Sequence, residues 1–121
     1  AADEVVAASC ASLALPEIDL GMPSPLAAAM LAARASLGVV RRMVQQGESF
    51  GAAQALEDGL VDAVVEPGGL HDEALARARA LARRTGHAYA GNKNWINRGL
   101  RAQLVEAAQA ATALRQTRPN T

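Results

Sequence analysis

A single strand-like stretch constrains the fold of this chain more than any other feature. Residues Leu60–Val65 form an apolar stretch that begins after Gly59 and ends at the turn-forming residues 66–69. Three helix-like segments precede this stretch, so it must pair with a strand elsewhere. Few strands and many helices make an odd complete domain. The pattern is typical of one part of a larger α/β fold.

The rest of the chain alternates short strand patterns with helical ones. Asp3–Ala8 and Leu13–Leu15 are predicted strands, and Pro16–Pro23, with two prolines and a glycine, is a predicted loop. The predicted helices, several with capping residues at their ends, are Pro25–Ala35, Leu37–Gln46, Ser49–Asp58, Leu70–Arg84, Tyr89–Asn97 and Arg98–Arg115. We expect the last residues, Thr117–Thr121, to be frayed.

The core of such a fold has to come from aliphatic side chains. Half of the 121 residues are apolar, yet only three are aromatic, and alanine supplies much of the apolar count. Because each buried alanine removes little surface from water, close helix packing and the Leu and Val positions must supply the core. In the helix 70–84, Leu75 and Leu81 are expected to face inward and the arginines outward. We expect such a chain to gain stability from a partner surface.

The charge balance argues against nucleic acid as a partner. Twelve basic and twelve acidic residues give a net charge of zero, without the basic excess of a nucleic-acid binder. Basic residues do gather after Ala76, namely Arg77, Arg79, Arg83, Arg84, Lys93, Arg98 and Arg101. Two interpretations of this cluster stay open. It is a solvated helical face, or it is a site for an anionic ligand such as a nucleotide phosphate.

Several other classes of site are not expected. Cys10 is the single cysteine, so no internal disulfide is possible, and its small neighbours predict a buried apolar residue rather than a nucleophile. His71 and His87 lack metal-ligand spacing with a third ligand, and no metal is expected. No apolar run is long enough to span a membrane and no signal peptide precedes the fold. We therefore expect a cytoplasmic protein with no membrane partner.

One carboxylate lies where chemistry is plausible. Glu17 follows a predicted strand and is framed by Leu15, Ile18 and Leu20, so it is expected to be partly removed from water. The alternative is that Glu17 caps a turn or lies in solvent. If the segment is extended, Asp19 shares the side of Glu17 and either hydrogen-bonds to it or only orders the loop.

Two blocks of the sequence resemble one known family. Leu15–Gly21 resembles the Pro-Glu-(aliphatic)-x-(aliphatic)-Gly segment of the crotonase, or enoyl-CoA hydratase/isomerase, family. Ser49–Val65 resembles the family's block of an alanine, three residues, Gly-Leu-Val-Asp and a Val-Val strand. The blocks are in family order, and Asn92–Asn97 fits the C-terminal helices. The resemblance implies an α/β fold, the C-terminal half of a crotonase-like (ClpP/crotonase) spiral, with short strands followed mostly by helices.

The resemblance also implies a partner for this chain. A crotonase subunit is about twice as long, and its first half supplies a glycine-rich segment whose backbone N–H groups bind the thioester oxygen. We expect a second chain or a longer parent protein to supply that half. Residues 1–69 are then the second half of the crotonase core, and residues 70–121 form a helical trimerisation region. A homotrimer or hexamer is implied, and the apolar face of the last helix fits a subunit contact.

The reaction follows from the same resemblance. In the family the Pro-Glu glutamate is the acid/base, which makes Glu17 the predicted catalytic residue for an acyl-CoA substrate. Residues Met22–Leu26 stand where hydratases have a Gly-rich run and Thr-Gln-Arg, and are more similar to the single-glutamate isomerases. Glu17 would then take a proton from C2 of a 3-enoyl-CoA and return it to C4. The implied setting is fatty-acid β-oxidation, with no cofactor because CoA is part of the substrate.

Two residues of the C-terminal segment are expected to contact CoA. Lys93 and Trp95 lie in the segment that approaches CoA in similar proteins. The alternative is a surface lysine and a half-buried tryptophan that anchors a helix. The rival functions are a hydratase whose second glutamate lies in the absent half and a non-catalytic assembly module. Without the oxyanion donors, the chain alone is expected to be essentially inactive.

Overall fold

The computed structural model describes residues 2–117, and the predicted fraying of the tail falls largely on residues outside that range. The chain forms two compact units, one from residues 2–13 and 49–97 and the other from residues 14–48 and 98–117. The strands are β1 Val6–Ala8, β2 Ser12–Leu13, β3 Phe50–Gly51 and β4 Ala63–Val65. The helices are α1 Pro25–Ala32, α2 Leu37–Val44, α3 Ala52–Glu57, α4 Leu70–Ala82, α5 Gly86–Ile96 and α6 Arg98–Gln116, with 3₁₀ helices at Pro16–Leu20 and Pro67–Gly69.

The late strand finds its partner at the start of the chain. β4 pairs in parallel with β1, in a register that joins Val6 to Ala63. Asp62 extends the ladder by one residue, because the Val5 amide donates to its carboxylate at 2.8 Å and its own amide donates to the Val5 carbonyl at 2.8 Å. A parallel pair joined through helices is the α/β arrangement that the lone strand predicted.

A second ladder corrects one sequence prediction. The segment from Ser49 was predicted to be helical throughout, but Phe50 and Gly51 form β3, which runs antiparallel to β2 and joins Phe50 to Leu13. The helix α3 begins only at Ala52. Phe50 is 1% exposed, so burial of the aromatic ring and cross-strand pairing override the local helical preference.

The core of the first unit is built from small and aliphatic residues around this ring. Ala52, Ala55, Leu60 and Val61 are all buried beside α3 and its flanking turns. The turn that ends α3 needs a left-handed residue, and Gly59 supplies it with a φ of 80°. Buried alanines let the elements approach closely, which is the packing that the composition predicted.

The inner face of α4 differs from the prediction. Leu70, Ala74, Arg77 and Leu81 share one stripe and line a cleft beside β1, whereas Leu75 lies off that stripe and is 37% exposed. The prediction that Leu75 faces inward is therefore wrong, and the same prediction for Leu81 is confirmed. Arg77 was predicted to point outward, but it pairs with Glu4 at 3.1 Å and with Glu73 at 2.9 Å. These two hydrogen bonds raise the pKa of Arg77.

The second unit is a small helical assembly. α1 packs against both α2 and α6. Ser36 caps α2, as predicted, by accepting a hydrogen bond from the Val39 amide at 3.3 Å. The buried face of α2 carries Val39, Val40 and Met43. No helix within residues 2–117 is long and apolar enough to cross a membrane.

Helix ends and one cysteine differ from the sequence predictions. α1 ends at Ala32 rather than Ala35, because the Arg34 amide bonds to the Leu31 carbonyl in a tighter, three-residue turn before Ser36 caps the next helix. α5 begins at Gly86 rather than Tyr89, since the Tyr89 amide already donates to the Thr85 carbonyl. Cys10 is exposed in the turn after β1, so the prediction that it is buried is wrong.

Candidate active site

Glu17 lies on a tight 3₁₀ helix, Pro16–Leu20, within the segment that was predicted to be a loop. Pro16 occupies the first position of this helix, where its missing N–H costs nothing. Gly21, with a φ of 69°, ends it in the left-handed conformation. The Gly21 amide donates to Ile18 at 3.1 Å and the Met22 amide donates to Glu17 at 2.9 Å. The proline and the glycine thus begin and end a compact turn whose backbone carries Glu17.

The turn geometry separates Asp19 from Glu17. A 3₁₀ helix has three residues per turn, so residues two apart point to different sides. The Asp19 carboxylate instead faces Gly47, where an added Cβ would lie 3.3 Å from Asp19 Oδ2 and 3.1 Å from Ile18 Cγ2. The expectation that Asp19 shares the side of Glu17 is wrong, because it assumed extended backbone.

The helix that carries Glu17 rests on the end of α2. α2 contacts the 3₁₀ helix, and the chain after α2 turns at Gly47 with a φ of 64°. Arg42 holds this turn through a two-pronged contact with Glu48, from Nε to Oε2 at 2.9 Å and from Nη2 to Oε1 at 2.6 Å. The hydrogen bond from Arg42 lowers the pKa of Glu48. This contact fixes the surface against which Ile18 and Asp19 pack.

One oxygen of Glu17 is buried without a partner. Glu17 Oε2 is removed from solvent and accepts no hydrogen bond from any residue that the structure describes. Leaving a buried polar atom unpaired costs about 1–3 kcal/mol, more when it is charged, and such atoms are rare in folded proteins. Ile18 and Leu20, which were predicted to shield Glu17 from water, are 39% and 64% exposed. They therefore account for only part of the burial of Glu17 Oε2.

A cavity of about 530 Å³ contains the Glu17 side chain. This volume is in the range of small-molecule pockets. One wall is the segment from Gly21 to Ala27, which includes the first turn of α1. Another part of the wall is formed by Ala111, Leu114 and Arg115 on one face of α6 and by Thr117 just after that helix. Residues 111, 114 and 115 share a face because they are three and four positions apart.

The contribution of α6 to this cavity was not predicted. The sequence showed an apolar face on the last helix, which was interpreted as a subunit contact. In the structure α6 packs on α1 and its C-terminal turns line the cavity of Glu17. Leu114 and Ala111, both on that predicted apolar face, were the available signal.

The two predicted CoA residues lie on α5, in the first compact unit. Lys93 Nζ is 2.9 Å from Asp3 Oδ1, and the Tyr89 hydroxyl donates to Asp3 Oδ2 at 2.8 Å. Hydrogen bonds from Lys93 first, then from Tyr89, lower the pKa of Asp3. Trp95 is 66% exposed, so it is not the half-buried helix anchor of the alternative interpretation.

The chain is similar to one protein family in sequence and to solved structures in fold. The model of the family described as enoyl-CoA hydratase/isomerase matches residues 1–121. A probable enoyl-CoA hydratase from Mycobacterium tuberculosis H37Rv superposes with a TM-score of 0.88 at 22% identity, over 94% of this chain and 49% of that one. ThnE from S. clavuligerus superposes with a TM-score of 0.85 at 29% identity, over 90% of this chain and 52% of that one. The family match and the superposition on the probable enoyl-CoA hydratase confirm the crotonase-type α/β fold.

A curated relative adds a different name. A carboxymethylproline synthase from Pectobacterium carotovorum subsp. carotovorum is 26% identical over 112 residues, which are 93% of this chain and 45% of that protein. The chain therefore spans about half the length of the proteins that it matches. The predicted resemblance to the crotonase family is confirmed.

Proposed function

The chain belongs to the enoyl-CoA hydratase/isomerase family, and from that premise we propose that it forms the acid/base part of an enoyl-CoA isomerase. Glu17 is the proposed catalytic residue, and the substrate is a 3-enoyl-CoA. Two observations carry the proposal: Glu17 lines a cavity of about 530 Å³, and its Oε2 is buried without a hydrogen-bond partner among the described residues. A protein tolerates such an oxygen most readily where a ligand or a reacting group will meet it.

The proposed mechanism moves one proton through Glu17. The carboxylate takes a proton from C2 of the 3-enoyl thioester, and the electron pair spreads over the dienolate. The protonated Glu17 then delivers the same proton to C4, which leaves the 2-enoyl thioester. No donor within residues 2–117 bonds to Oε2, so no hydrogen bond within the described chain has to break at that oxygen before Glu17 takes up a proton. The proposed mechanism uses no resident cofactor, because CoA enters and leaves with the substrate.

The enolate oxygen needs donors that we place outside this chain. Preorganised backbone N–H groups at a developing oxyanion are worth about 10²–10³ in rate for each donor removed. We propose that a second polypeptide, or the remainder of a longer parent protein, supplies them. The complete enzyme is defined here as this chain together with that half. The proposed assembly is a homotrimer or hexamer, with residues 70–121 as the trimerisation region.

The isomerase is proposed over the hydratase because Met22–Leu26 are more similar to the single-glutamate isomerases, and the lining of the cavity is consistent with one carboxylate. Among the described residues that line it, Glu17 is the sole carboxylate. The wall beside Glu17 is the prolyl segment Met22–Pro25, which has no group able to activate water as a second acid/base. Hydration would need a further glutamate from the other half of the enzyme.

A product assay separates these possibilities. The complete enzyme is given either 3-enoyl-CoA or 2-enoyl-CoA, and products are identified by chromatography and mass. We expect 2-enoyl-CoA from the first substrate and little water addition to the second, with no turnover by this chain alone. Rapid formation of 3-hydroxyacyl-CoA from 2-enoyl-CoA would establish the hydratase instead. Inactivity of the complete enzyme towards both substrates would favour the assembly module.

A synthase reaction is the second candidate function, and it is measured alongside the isomerase and hydratase reactions. The match to a protein named carboxymethylproline synthase favours a synthase reaction as the second candidate function. Because an enoyl-CoA contains no proline ring, carboxymethylproline is measured in a separate mixture that supplies a CoA thioester able to form a two-carbon enolate and a cyclic imine of the proline ring. The enolate carbon would bond to the imine carbon, and hydrolysis of the thioester would release CoA. The appearance of carboxymethylproline, without any shift of the double bond in the isomerase assay, would favour the synthase.

The CoA moiety is proposed to contact Lys93 and Trp95. Lys93 is the single lysine of the chain, and its ammonium group is held in place by Asp3. Replacing Lys93 with methionine is expected to raise KM for the CoA ester about three- to tenfold, since an exposed ionic contact contributes modestly. KM for a pantetheine thioester without the nucleotide is expected to stay unchanged. Arg41→Met, at an exposed cation of α2, is the control, and equal effects on both thioesters would contradict the proposed contact.

A further inference from the structure

Arg115 is a cation at the cavity of Glu17 that makes no ion pair with any of the residues that the structure describes. It lies on the last turn of α6, is exposed, and lines the same cavity as Glu17. Among residues 2–117 its hydrogen bond is from Nε to the Ala111 carbonyl, at a long 3.5 Å. By contrast, Arg42 and Arg77 are held by Glu48 and by Glu4 with Glu73. The guanidinium of Arg115 therefore keeps donors available for a ligand.

The rest of the cavity is suited to an apolar body. Apart from Glu17 and Arg115, the described residues that line the cavity are uncharged, and Leu26, Ala27 and Ala111 give it apolar walls. The cavity thus combines one anion on the 3₁₀ helix, one cation on α6 and apolar surface. A plain hydrocarbon chain would leave the cation without a role.

The first turn of α1 adds to the positive potential around Arg115. Residues 24–27 line the cavity, and the Ser24 side chain makes no capping hydrogen bond to the helix. The N–H groups of the first helical turn have no partner within the helix, and the N-terminal end of a helix carries partial positive charge. This field has the same sign as that of Arg115, and both favour a negative group on the ligand.

We infer that the acyl group of the substrate ends in a carboxylate that Arg115 binds. The substrate class is then a carboxyacyl-CoA, the monothioester of an unsaturated dicarboxylic acid. This inference rests on the proposed function, because it takes Glu17 as the group that meets the reacting carbons. The substrate carboxylate is repelled by Glu17 and attracted by Arg115, so only one orientation of the acyl group is favourable. That orientation places C2 to C4 at Glu17 and makes Arg115 a specificity-determining residue.

A matched pair of substrates tests the inference. The complete enzyme is given 3-hexenedioyl-CoA, the monothioester that carries a terminal carboxylate, or 3-hexenoyl-CoA, which has the same chain length and ends in a methyl group. The wild type is expected to show kcat/KM about tenfold higher for the carboxylate substrate, since charge-assisted hydrogen bonds are the strong ones. Arg115→Gln is expected to raise KM for that substrate about tenfold and to leave both constants for 3-hexenoyl-CoA unchanged.

Two further variants separate the effect of the Arg115 guanidinium from that of positive charge in general. Arg115→Lys keeps the charge and is expected to retain part of the preference, while Arg41→Gln, at an exposed cation of α2, is expected to change nothing. The inference is overturned if the wild type does not prefer 3-hexenedioyl-CoA. It is also overturned if Arg115→Gln slows both substrates equally, because Arg115 would then support the fold or the charge of Glu17.

The failure of this inference can be told from the failure of the proposed function. If Glu17→Gln abolishes turnover of both substrates but the wild type shows no preference, only the carboxylate inference fails. If Glu17→Gln leaves the turnover of both substrates intact, the proposed role of Glu17 fails, and the carboxylate inference fails with it.

Discussion

Replacing Glu17 with glutamine is expected to lower kcat of the complete enzyme about 10²- to 10⁴-fold, the usual contribution of a general acid/base. The amide has nearly the same shape as the carboxylate but cannot accept a proton from C2. KM is expected to change little, because the lost interaction acts on proton transfer rather than on substrate binding. Initial rates of double-bond shift from 3-enoyl-CoA give both constants.

The same variant is expected to remain as stable as the wild type. Glu17 Oε2 has no hydrogen-bond partner among the described residues, so glutamine breaks no contact there and removes a charge from a buried position. Glu57→Gln, at an exposed residue of α3, is the matched control and should leave both activity and unfolding temperature unchanged. Wild-type rates in Glu17→Gln would move the base elsewhere. A large fall in its unfolding temperature would make Glu17 structural.

Replacing Phe50 with alanine is expected to lower the free energy of unfolding by about 3–5 kcal/mol. Of the three aromatic residues, all within the described part of the chain, Phe50 is the one that is buried. Its ring fills the core of the first unit, and its backbone joins β3 to β2. Apart from Phe50 and Leu60, the described buried residues of this unit are alanines and Val61, which are too small to fill the cavity that the ring would leave.

Urea unfolding followed by circular dichroism measures this loss. Phe50→Leu keeps most of the volume and is expected to cost less than half as much. Leu37→Ala removes a side chain that is exposed at the start of α2 and is expected to stay within about 0.5 kcal/mol of the wild type. A loss below about 1 kcal/mol for Phe50→Ala would mean that the ring is not central to the core.

The elements that the sequence predicted well are those with a strong local signal. α2 follows from the Ser36 cap and its apolar face, and β4 follows from an apolar stretch that has to pair with another strand. β3 was missed because two residues carry no period, and only the pairing of Phe50 with Leu13 makes them a strand. Leu75 was misplaced because the inner stripe of α4 is set by the direction of β1, which the helix pattern alone does not contain.

In the candidate site, too, local features could be predicted from the sequence, whereas features that depend on packing between distant segments could not. Glu17 could be identified from a short local motif, whereas its cavity depends on α6, which packs against α1 from the other end of the chain. Arg115 had no local signal, because a basic residue near a helix C-terminus is expected on electrostatic grounds alone. The 3₁₀ helix was predicted as a loop, and this error also placed Asp19 on the wrong side.

Deuterium labelling follows the proton that Glu17 is proposed to move. The complete enzyme is given 3-enoyl-CoA with deuterium at C2, and the position of the label in the product is read by NMR and mass spectrometry at low conversion. Transfer by one carboxylate predicts deuterium at C4 of the 2-enoyl-CoA in the wild type, with product formation nearly abolished in Glu17→Gln. A product without deuterium at C4 that Glu17→Gln forms as fast as the wild type would contradict proton transfer by Glu17.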